Sequence, residues 1–432
     1  MNSLWSQTAK RQPRPPLERD IKTDVLVIGG GMCGILTAHM LREAGVSCVV
    51  VEAKSIGDGT TKNTTAKITA GHGLIYADLI ARAGEEKARQ YYDANTLAIQ
   101  RYHALSERFS CDFEEQTSYV YSTDDRRKLE REAKACDKLG IDFKIEENLP
   151  LPFENVGALA MHGQAQFHPL KLLYAAAEEL DLYEKTFVRK IEGLTAHTSG
   201  GKIKAKHIVM ATHYPLVNIL GLYFVKLYQN RSYVAAIEGA PLLDGMYRDE
   251  KEDGYSFRNY GELLLVGGGA HRTGKKSGGY AGLKNFVRRA YPGCNEKYYW
   301  AAQDCMSLDK IPYIGRHRAG GAGLYVASGF NKWGMTGSMA AAEVLTDLIV
   351  SGKSGWESLY NPRRSMFSRQ LFVNLGAAAA GLLSIGGPRC SHMGCKLHRN
   401  MAENSWDCSC HGSRFDKSGN VIDNPAKKEI GL

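Results

Sequence analysis

Asp24-Val-Leu-Val-Ile-Gly-Gly-Gly-Met-Cys-Gly34 is the stretch that decides the fold of this 432-residue chain. An apolar run that breaks into glycines predicts a buried parallel strand that turns directly into a helix. The segment Ser47-Cys-Val-Val-Val-Glu52 predicts a second buried strand, so residues 24–52 form one strand–helix–strand unit. The glycines fit G-x-G-x-x-G and Glu52 closes the second strand, and together they predict a dinucleotide-binding site.

Each position of this motif has a physical role in holding a dinucleotide. Gly29 allows the tight turn, Gly31 leaves room for the pyrophosphate, and Gly34 lets the helix approach the strand. The helix N-terminus offers unpaired N–H groups and a positive dipole end to the phosphates. We expect the carboxylate of Glu52 to accept hydrogen bonds from the hydroxyls of the adenosine ribose.

The rest of the chain favours FAD over NAD as the dinucleotide. A second glycine motif would indicate a separate nicotinamide domain, but the nearest candidate, Leu265-Val-Gly-Gly-Gly-Ala-His-Arg272, has Arg272 at the third glycine position. Residues 233–266 are dominated by strand and turn patterns, which predict an antiparallel sheet. One dinucleotide fold with a separate antiparallel sheet indicates FAD bound alone.

Residues 22–350 resemble the D-amino-acid-oxidase-like (glycine/sarcosine-oxidase-like) FAD-dependent oxidoreductases. The resemblance rests on the glycine motif, Glu52-Ala-Lys54, the loop Asn63-Thr-Thr-Ala-Lys67, the strand end Val209-Met-Ala-Thr212 and the segment Ser328-Gly-Phe-Asn-Lys-Trp-Gly-Met-Thr336. It implies that the Thr/Ala/Lys loop runs beside the isoalloxazine ring. It also implies that the last segment starts a helix aimed at the pyrimidine end of the flavin, where a helix N-terminus stabilises the anionic reduced ring.

The resemblance implies a set of FAD contacts spread over these segments. They are Gly29, Gly31, Met32, Cys33, Gly34, Glu52, Ala53, Lys54, Thr64, Thr65, Ala66, Lys67, Val188, Ala211, Thr212, Gly334, Met335 and Thr336.

A second motif, near the C-terminus, has the composition of a metal site. Cys390-Ser-His392 is followed after fifteen residues by Cys408-Ser-Cys410-His411. Two thiolates and two imidazoles can hold tetrahedral zinc, although C-x-H is tighter than the usual zinc spacing.

The segment resembles a Rieske [2Fe–2S] domain far more closely than a zinc site. The resemblance implies that Cys390 and Cys408 bind one iron and that His392 and His411 bind the other. It also implies a disulfide between Cys395 and Cys410, as in respiratory-type Rieske proteins. The domain is shortened before its first ligand, so we expect it to lean on the flavoprotein body, on a second subunit, or on the metal itself.

The expected fold class is α/β: a doubly wound, Rossmann-like FAD-binding domain, an antiparallel-sheet substrate domain and a small all-β Rieske lobe. We expect a basic tail at 1–22, flexible or strapped over the surface, the oxidoreductase at 23–350, a linker at 351–384 and the Rieske domain at 385–432. The FAD-binding parts are about 23–110, 155–215 and 306–350, and the substrate-domain parts are about 111–154 and 216–305. A weakly polar stretch within 371–387 is expected to be a packed helix or loop.

Candidate catalytic residues come from the same segments. Lys67 lies on the loop that the resemblance places beside the flavin. Arg258 and Arg272 lie in the predicted substrate sheet, where a forked guanidinium can clamp a substrate carboxylate, although surface or ion-paired roles are equally open for both. Cys305 is either a covalent link to the flavin or an ordinary buried thiol, the second being the more common situation. Trp333 is expected to pack against the flavin.

Charge and composition limit the partners. The chain has 55 Lys+Arg against 46 Asp+Glu, a net charge of +9. This excess is thinly spread outside the tail, which argues against nucleic acid and suits an acidic electron-transfer protein such as a ferredoxin. We see neither a secretory signal nor a membrane span, and scattered odd cysteines suit the reducing cytoplasm.

We therefore expect an FAD-dependent oxidoreductase, with an amine or amino acid as the substrate class implied by the resemblance. Electrons would pass between substrate, FAD and a Rieske [2Fe–2S] cluster, in either direction. The alternative is an electron-transfer module that docks a ferredoxin or a partner enzyme and has no small-molecule substrate.

Overall fold

A mostly parallel sheet forms the first layer of the protein. The structure is a computed structural model that describes residues 3–318, 321 and 323–431. Strands and helices are numbered in chain order. The sheet has the order β16 (Tyr313–Arg316), β17 (Leu324–Ser328), β10 (Lys202–Met210), β1 (Ile21–Ile28), β2 (Cys48–Val51) and β7 (Asp181–Tyr183), with β8 (Lys190–Glu192) and β9 (Thr195–His197) continuing from β10.

The apolar runs in the sequence occupy the middle of this sheet, as predicted. Val27 of β1 lies between Val209 of β10 and Val50 of β2, and all three side chains are buried. Strands buried on both faces need continuous apolar sequence, which is why β1, β2 and the end of β10 lack alternation.

The second sheet is antiparallel except for the parallel pair β4–β12, which confirms the predicted substrate sheet. Its order is β15 (Asn295–Met306), β11 (Tyr228–Glu238), β14 (Leu263–Arg272), β13 (Ser256–Tyr260), β12 (Met246–Asp249), β4 (Glu114–Tyr121), β6 (Ala158–Gln166) and β3 (Lys67–Ile68), with β5 (Lys144–Glu146) paired to β6.

The third sheet is the small C-terminal one, and it is entirely antiparallel. It consists of β18 (Leu397–Asn400), β19 (Ser405–Cys408), β20 (Arg414–Phe415) and β21 (Val421–Asp423). We call residues 389–431 the cluster lobe and residues 3–350 the body.

Helices cover the first sheet and join the layers. They are α1 (Leu4–Thr8), α2 (Met32–Glu43), α3 (Tyr76–Ala83), α4 (Glu85–Arg108), α5 (Arg126–Leu139), α6 (Pro169–Ala177), α7 (Tyr223–Lys226), α8 (Gly279–Ala290), α9 (Gly334–Val350), α10 (Glu357–Tyr360) and α11 (Arg369–Leu383). The pattern over 78–108 predicts one long helix, but Gly84 has φ +86° and divides it into α3 and α4. A residue with positive φ ends a helix, and glycine adopts this backbone conformation without steric cost.

The N-terminal segment is a strap and not a flexible tail. Helix α1 buries Leu4 and Trp5 completely, and Arg11 forms an ion pair with the buried Glu184 at 2.7 Å. The indole of Trp5 donates to the Thr64 carbonyl oxygen at 2.7 Å. Helix α1 therefore braces, through Trp5, the loop that the sequence places beside the flavin.

The segment between body and cluster lobe is helical. Arg364 anchors it through an ion pair with Asp309 at 2.7 Å, and α11 follows. Helix α11 turns Leu371, Asn374 and Gly381 inward and leaves Phe372 and Leu383 largely exposed.

Candidate functional site

The glycine motif forms a close-packed turn at the end of β1. Gly29 has φ +116°, and a Cβ added there would lie 2.4 Å from the Ala211 carbonyl oxygen. A Cβ added at Gly34 would lie 1.9 Å from the Gly29 carbonyl oxygen. These two positions need glycine for the fold itself, because the backbone atoms they would strike cannot move away independently.

Gly31 differs, because the space beside it is open. A Cβ at Gly31 would meet only Thr61 Oγ1 at 3.4 Å. Gly31 is the N-cap of α2, and the Met32 N–H donates to Thr61 Oγ1 at 3.1 Å. The helix thus points its N-terminal N–H groups at a space that glycine keeps free, which fits the pyrophosphate of FAD.

Glu52 stands at the end of β2, next to this turn. Its Oε2 accepts from the Gly30 N–H and its Oε1 from the Lys54 N–H, both at 2.8 Å. Burial raises the pKa of this carboxyl. The two main-chain donors fix its orientation, while each oxygen keeps a lone pair for a ribose hydroxyl.

The other predicted FAD contacts line the same edge of the first sheet. Ala211 follows β10 and donates its N–H to the Ile28 carbonyl oxygen at 2.9 Å. Val188 is buried against the sheet near β2. Thr336 lies in the first turn of α9, and its Oγ1 is 2.9 Å from Nε2 of His72.

The predicted flavin loop is clamped by main-chain hydrogen bonds. Trp300 donates to the Asn63 carbonyl oxygen at 2.9 Å, and Arg258 donates to the carbonyl oxygens of Thr65 and Ala66 at 2.8 and 3.0 Å. Ala66 is buried with φ +54°. A loop held at this many points is fixed before any cofactor arrives.

Arg258 is therefore committed to the loop. Its guanidinium also donates to the Phe167 and Asn259 carbonyl oxygens and lies over the Trp5 ring, and its side chain is 1% exposed. It lines neither of the two cavities described below. These contacts give Arg258 a structural role at the flavin loop, and the carboxylate clamp suggested for it stays a prediction.

A cavity of about 110 Å³ lies between the flavin loop and the second sheet. Trp333 lines it, and its charged wall consists of Lys67, Arg248, Lys251, Glu252, Asp304 and Lys332. Burial and the neighbouring charges of Arg258 and Arg248 hold the pKa of Lys67 well below its usual range. Burial and Arg248 lower the pKa of Lys332 to about 8, whereas burial raises the pKa of Asp304. Crowded cations with depressed pKa values attract an anionic ligand.

Arg248, on β12, is the functional candidate that the sequence did not single out. Its Nε is shielded from solvent and has no hydrogen-bond partner among the residues described. The guanidinium lies 5.0 Å from the centre of the Trp333 ring, and burial lowers its pKa. A buried donor without an acceptor is costly unless a ligand completes it, so this fork is suited to a carboxylate.

Trp333 forms the wall between this cavity and a second one of about 270 Å³. On the second side it stacks against His72, with ring centroids 4.6 Å apart. Burial lowers the pKa of His72 to about 3, so this imidazole is neutral. Trp333 therefore packs between the two cavities, and its contact with the flavin stays a prediction.

Cys305 is a buried free thiol on β15. It is 2% exposed, its Sγ lies 3.6 Å from Ser328 Oγ, and burial raises its pKa to about 12. It lines neither of the two cavities described above. The structure thus supports the second of the two roles considered for this residue.

The four expected cluster ligands come together in the cluster lobe. The rings of His392 and His411 lie at 90° with centroids 4.9 Å apart, and Cys390 and Cys408 are buried in one apolar cluster of the same lobe. Nδ1 of each histidine is buried without a hydrogen-bond partner in the described chain. Burial lowers the pKa of both imidazoles to about 4, which keeps them in the neutral form that binds metal. Two orphaned nitrogens next to two thiols fit an iron–sulfur cluster.

The expected disulfide between Cys395 and Cys410 is not formed. Both are free thiols, and the Sγ atoms of Cys395, Cys408 and Cys410 lie within 4.8 Å of one another. Cys410 Sγ donates to the Ala377 carbonyl oxygen at 3.7 Å, and a Cβ added at Gly381 would lie 2.5 Å from the same sulfur. Helix α11 packs directly onto both ligand loops, because a Cβ at its Gly381 would also lie 3.3 Å from Cβ of Cys395.

Arg272, the third catalytic candidate, also supports the cluster lobe. It donates to the Ser409 and Cys410 carbonyl oxygens at 2.8 and 2.9 Å and to Asn374 Oδ1 at 2.9 Å. Like Arg258, it has no place on either cavity wall of the described chain. Its guanidinium joins the second sheet to both the ligand loop and α11.

Comparison with known proteins identifies the class. Residues 24–348 match the FAD dependent oxidoreductase family, and residues 366–431, a span that includes all of α11, match the Rieske [2Fe-2S] domain. The chain therefore belongs to the FAD dependent oxidoreductases, carries a C-terminal Rieske domain, and binds FAD and a [2Fe–2S] cluster.

One relative shares this whole architecture. The chain is 33% identical over 493 aligned positions to the Rieske 2Fe-2S iron-sulfur protein YhfW of Bacillus subtilis (strain 168), an alignment that spans 99% of this chain and 96% of that protein.

Solved structures resemble the body in fold. Glycine oxidase from Geobacillus kaustophilus has a TM-score of 0.67 at 20% identity, covering 80% of this chain and 100% of its own. L-proline dehydrogenase from P. horikoshii has a TM-score of 0.66 at 19% identity, covering 81% and 98%. A search of the described residues for helices long and apolar enough to span a membrane finds none.

The mixed ligand set gives a direct prediction for His411. His411→Cys should keep the cluster but lower its reduction potential by on the order of hundreds of millivolts, because a thiolate donates more negative charge than a neutral imidazole. Potentiometric titration followed by electron paramagnetic resonance measures the change. An unchanged or raised potential would show that His411 is not a ligand, and Cys305→Ser is the control that should leave the potential alone.

Proposed function

We propose that the protein oxidises a small amino acid, or an amine that carries a carboxylate, and exchanges the electrons with its Rieske cluster. The single observation that carries this proposal is the buried Nε of Arg248, which has no hydrogen-bond partner among the described residues and lies in the cavity beside the flavin loop. The names of the structural neighbours, glycine oxidase and L-proline dehydrogenase, agree with this substrate class.

Different residues of the charged wall bind different groups of the substrate. Arg248 holds the substrate carboxylate with two N–H donors, and Lys332 adds positive charge on the same side. Asp304, which faces both cations, accepts a hydrogen from the substrate amine. These contacts fix the substrate's carbon–nitrogen bond against the flavin loop, which is the main contribution that a protein makes to cofactor chemistry.

Lys67 is suited to moving the proton. Its depressed pKa leaves a larger fraction of neutral amine near pH 7 than a free lysine has, so Nζ can take a proton from the substrate ammonium. Trp333 and the surrounding β-strands shield this exchange from water. When bound, FAD accepts the two electrons released by C–N oxidation, and the cluster carries one electron at a time.

Anaerobic mixing with candidate substrates tests the proposal, with bleaching of the flavin absorbance as the readout. Small amino acids should bleach the flavin, and matched amines that lack the carboxylate should do so far more slowly. If no amine or amino acid reduces the flavin while a reduced ferredoxin does, the protein is instead a carrier module with no small-molecule substrate. Its net charge of +9 would then serve an acidic partner.

A further inference from the structure

The cluster lobe meets the body through a buried amide at Gln229. Its Nε2 donates to the His411 carbonyl oxygen at 2.8 Å and to the Asn424 carbonyl oxygen at 3.0 Å. Its Oε1 accepts from Gln303 Nε2 at 2.8 Å, and Gln303 Nε2 also donates to the Gly412 carbonyl oxygen at 2.9 Å. Two body glutamines thus hold the main chain of the loop that carries the cluster ligand His411.

His213 continues this network toward the FAD side. Its Nε2 lies 3.1 Å from Gln229 Oε1, and its Nδ1 lies 3.3 Å from Thr60 Oγ1. An amide oxygen only accepts, so Nε2 of His213 carries the hydrogen. His213 directly follows Thr212, an expected FAD contact, and Thr60 opens the 3₁₀ turn that leads into the flavin loop. One imidazole and one amide therefore connect the FAD side to the main chain of a cluster ligand.

His213 and the lobe are held in this geometry by close contact. His213 has φ +65°, a conformation that a residue with a side chain keeps only when its surroundings impose it. A Cβ at Gly412 would lie 2.5 Å from Cβ of Gln229, and one at Gly274 would lie 2.6 Å from the Ser409 nitrogen. At these two positions the main chain of the lobe is in close contact with the main chain or a side-chain Cβ of the body, which leaves no room for the lobe to move along the body.

The same interface covers the edge of the FAD site. Asn424 Nδ2 donates to the Thr212 carbonyl oxygen at 2.7 Å, and Lys54 Nζ donates to the Ile422 carbonyl oxygen at 3.0 Å. Lys54 and Thr212 are both expected FAD contacts. The lobe is therefore docked against the residues that hold one cofactor while its own loops hold the other.

We propose that Gln229 is a positioning residue that, with His213, locks the cluster lobe in one docked position so that electrons cross between FAD and cluster within a single chain. This inference rests on the proposed function for the source of the electrons. An electron that crosses the interface leaves the reduced-flavin site and converts one ferric ion of the cluster to ferrous. The second crosses after an external one-electron acceptor, a small redox protein, has reoxidised that ion, and the flavin protons go to solvent.

Gln229→Leu tests the lock in the full-length holoprotein. Leucine fills similar volume but removes both donors to the lobe, which should shift the docked–undocked equilibrium toward undocking by about thirtyfold. Hydrogen exchange of the amides of residues 409–413 should quicken by a similar factor, with iron and FAD content unchanged. Flash photoreduction of the flavin, which needs no substrate, should show slower appearance of the reduced cluster's paramagnetic signal.

Two further variants keep the test decisive. Arg272→Gln removes a different set of lobe contacts and should give the same two changes, so it replaces Gln229→Leu if that variant does not fold. Lys417→Gln, at an exposed residue of the lobe, is the control that should change neither readout. Unchanged exchange and unchanged electron transfer in both interface variants would overturn the proposal, as would a transfer rate that scales with protein concentration. Because photoreduction replaces the substrate, failure of the amino-acid assignment would leave this test intact.

Discussion

Arg248→Met should lower kcat/KM for the amino-acid substrate by about 100- to 10,000-fold, mostly through KM. Two charge-assisted hydrogen bonds from a forked guanidinium to a carboxylate would be lost in a partly desolvated cavity, and each contributes about 1.5–3 kcal/mol. Steady-state kinetics with an artificial one-electron acceptor would measure the loss. FAD content and thermal stability should stay close to those of the wild type, because this guanidinium forms no ion pair with any residue the structure describes.

Arg258→Met is the matched control, since it removes the same group from the neighbouring strand. Arg258 donates to four main-chain oxygens around the flavin loop, so its loss leaves buried acceptors unpaired. We expect a fall in unfolding free energy of about 2–4 kcal/mol and little change in substrate KM at temperatures where the fold is intact. A selective rise in KM with Arg258→Met and none with Arg248→Met would show that the clamp is assigned to the wrong arginine.

Which of the two arginines, Arg248 or Arg258, reaches the cavity could not be predicted from the sequence. Arg248 pairs with Ser256 across β12 and β13, and Ser256 lies two residues before Arg258, so both guanidiniums leave the same face of the sheet. The strand positions of Arg248 and Arg258 are therefore offset by about 7 Å along the strand direction. That distance decides whether a guanidinium reaches the cavity or the loop, and it depends on strand register that composition and alternation do not encode. The useful signal, a buried donor without an acceptor, exists only in three dimensions.

The cofactor sites were predictable because each depends on local backbone chemistry. The glycine positions of 29–34 follow from contacts within one strand–helix turn, and the ligand spacing of 390–411 follows from two short loops. The sequence predicted that the shortened lobe needs support, with the body as one of three possible sources, but it did not reveal which residues supply that support. Gln229, Gln303 and Arg272 lie more than 100 residues before the loop they hold, and neutral amides carry no recognisable pattern in a sequence. The absence of the Cys395–Cys410 disulfide was also not predictable, because the packing of α11 on Cys410 is a long-range contact.

Gly31→Val should abolish FAD binding while leaving the fold intact, and it separates the two functions of the glycine motif. The space beside Gly31 is open except for Thr61 Oγ1, so a valine side chain meets little protein there and occupies the place expected for the pyrophosphate. The extended φ of −84° at this N-cap suits any residue. The purified variant should lose flavin absorbance but keep its cluster spectrum, since the four cluster ligands lie in another lobe.

Gly34→Ala provides the comparison, because one methyl group there would lie 1.9 Å from a main-chain oxygen and must displace β1 or α2. We expect Gly34→Ala to be recovered poorly or to unfold at clearly lower temperature, with FAD and cluster both affected. Circular dichroism and absorbance at the flavin and cluster bands distinguish the two outcomes. If Gly31→Val retained stoichiometric FAD, the pyrophosphate could not lie at the N-terminus of α2. The open space beside Gly31 would then need another occupant.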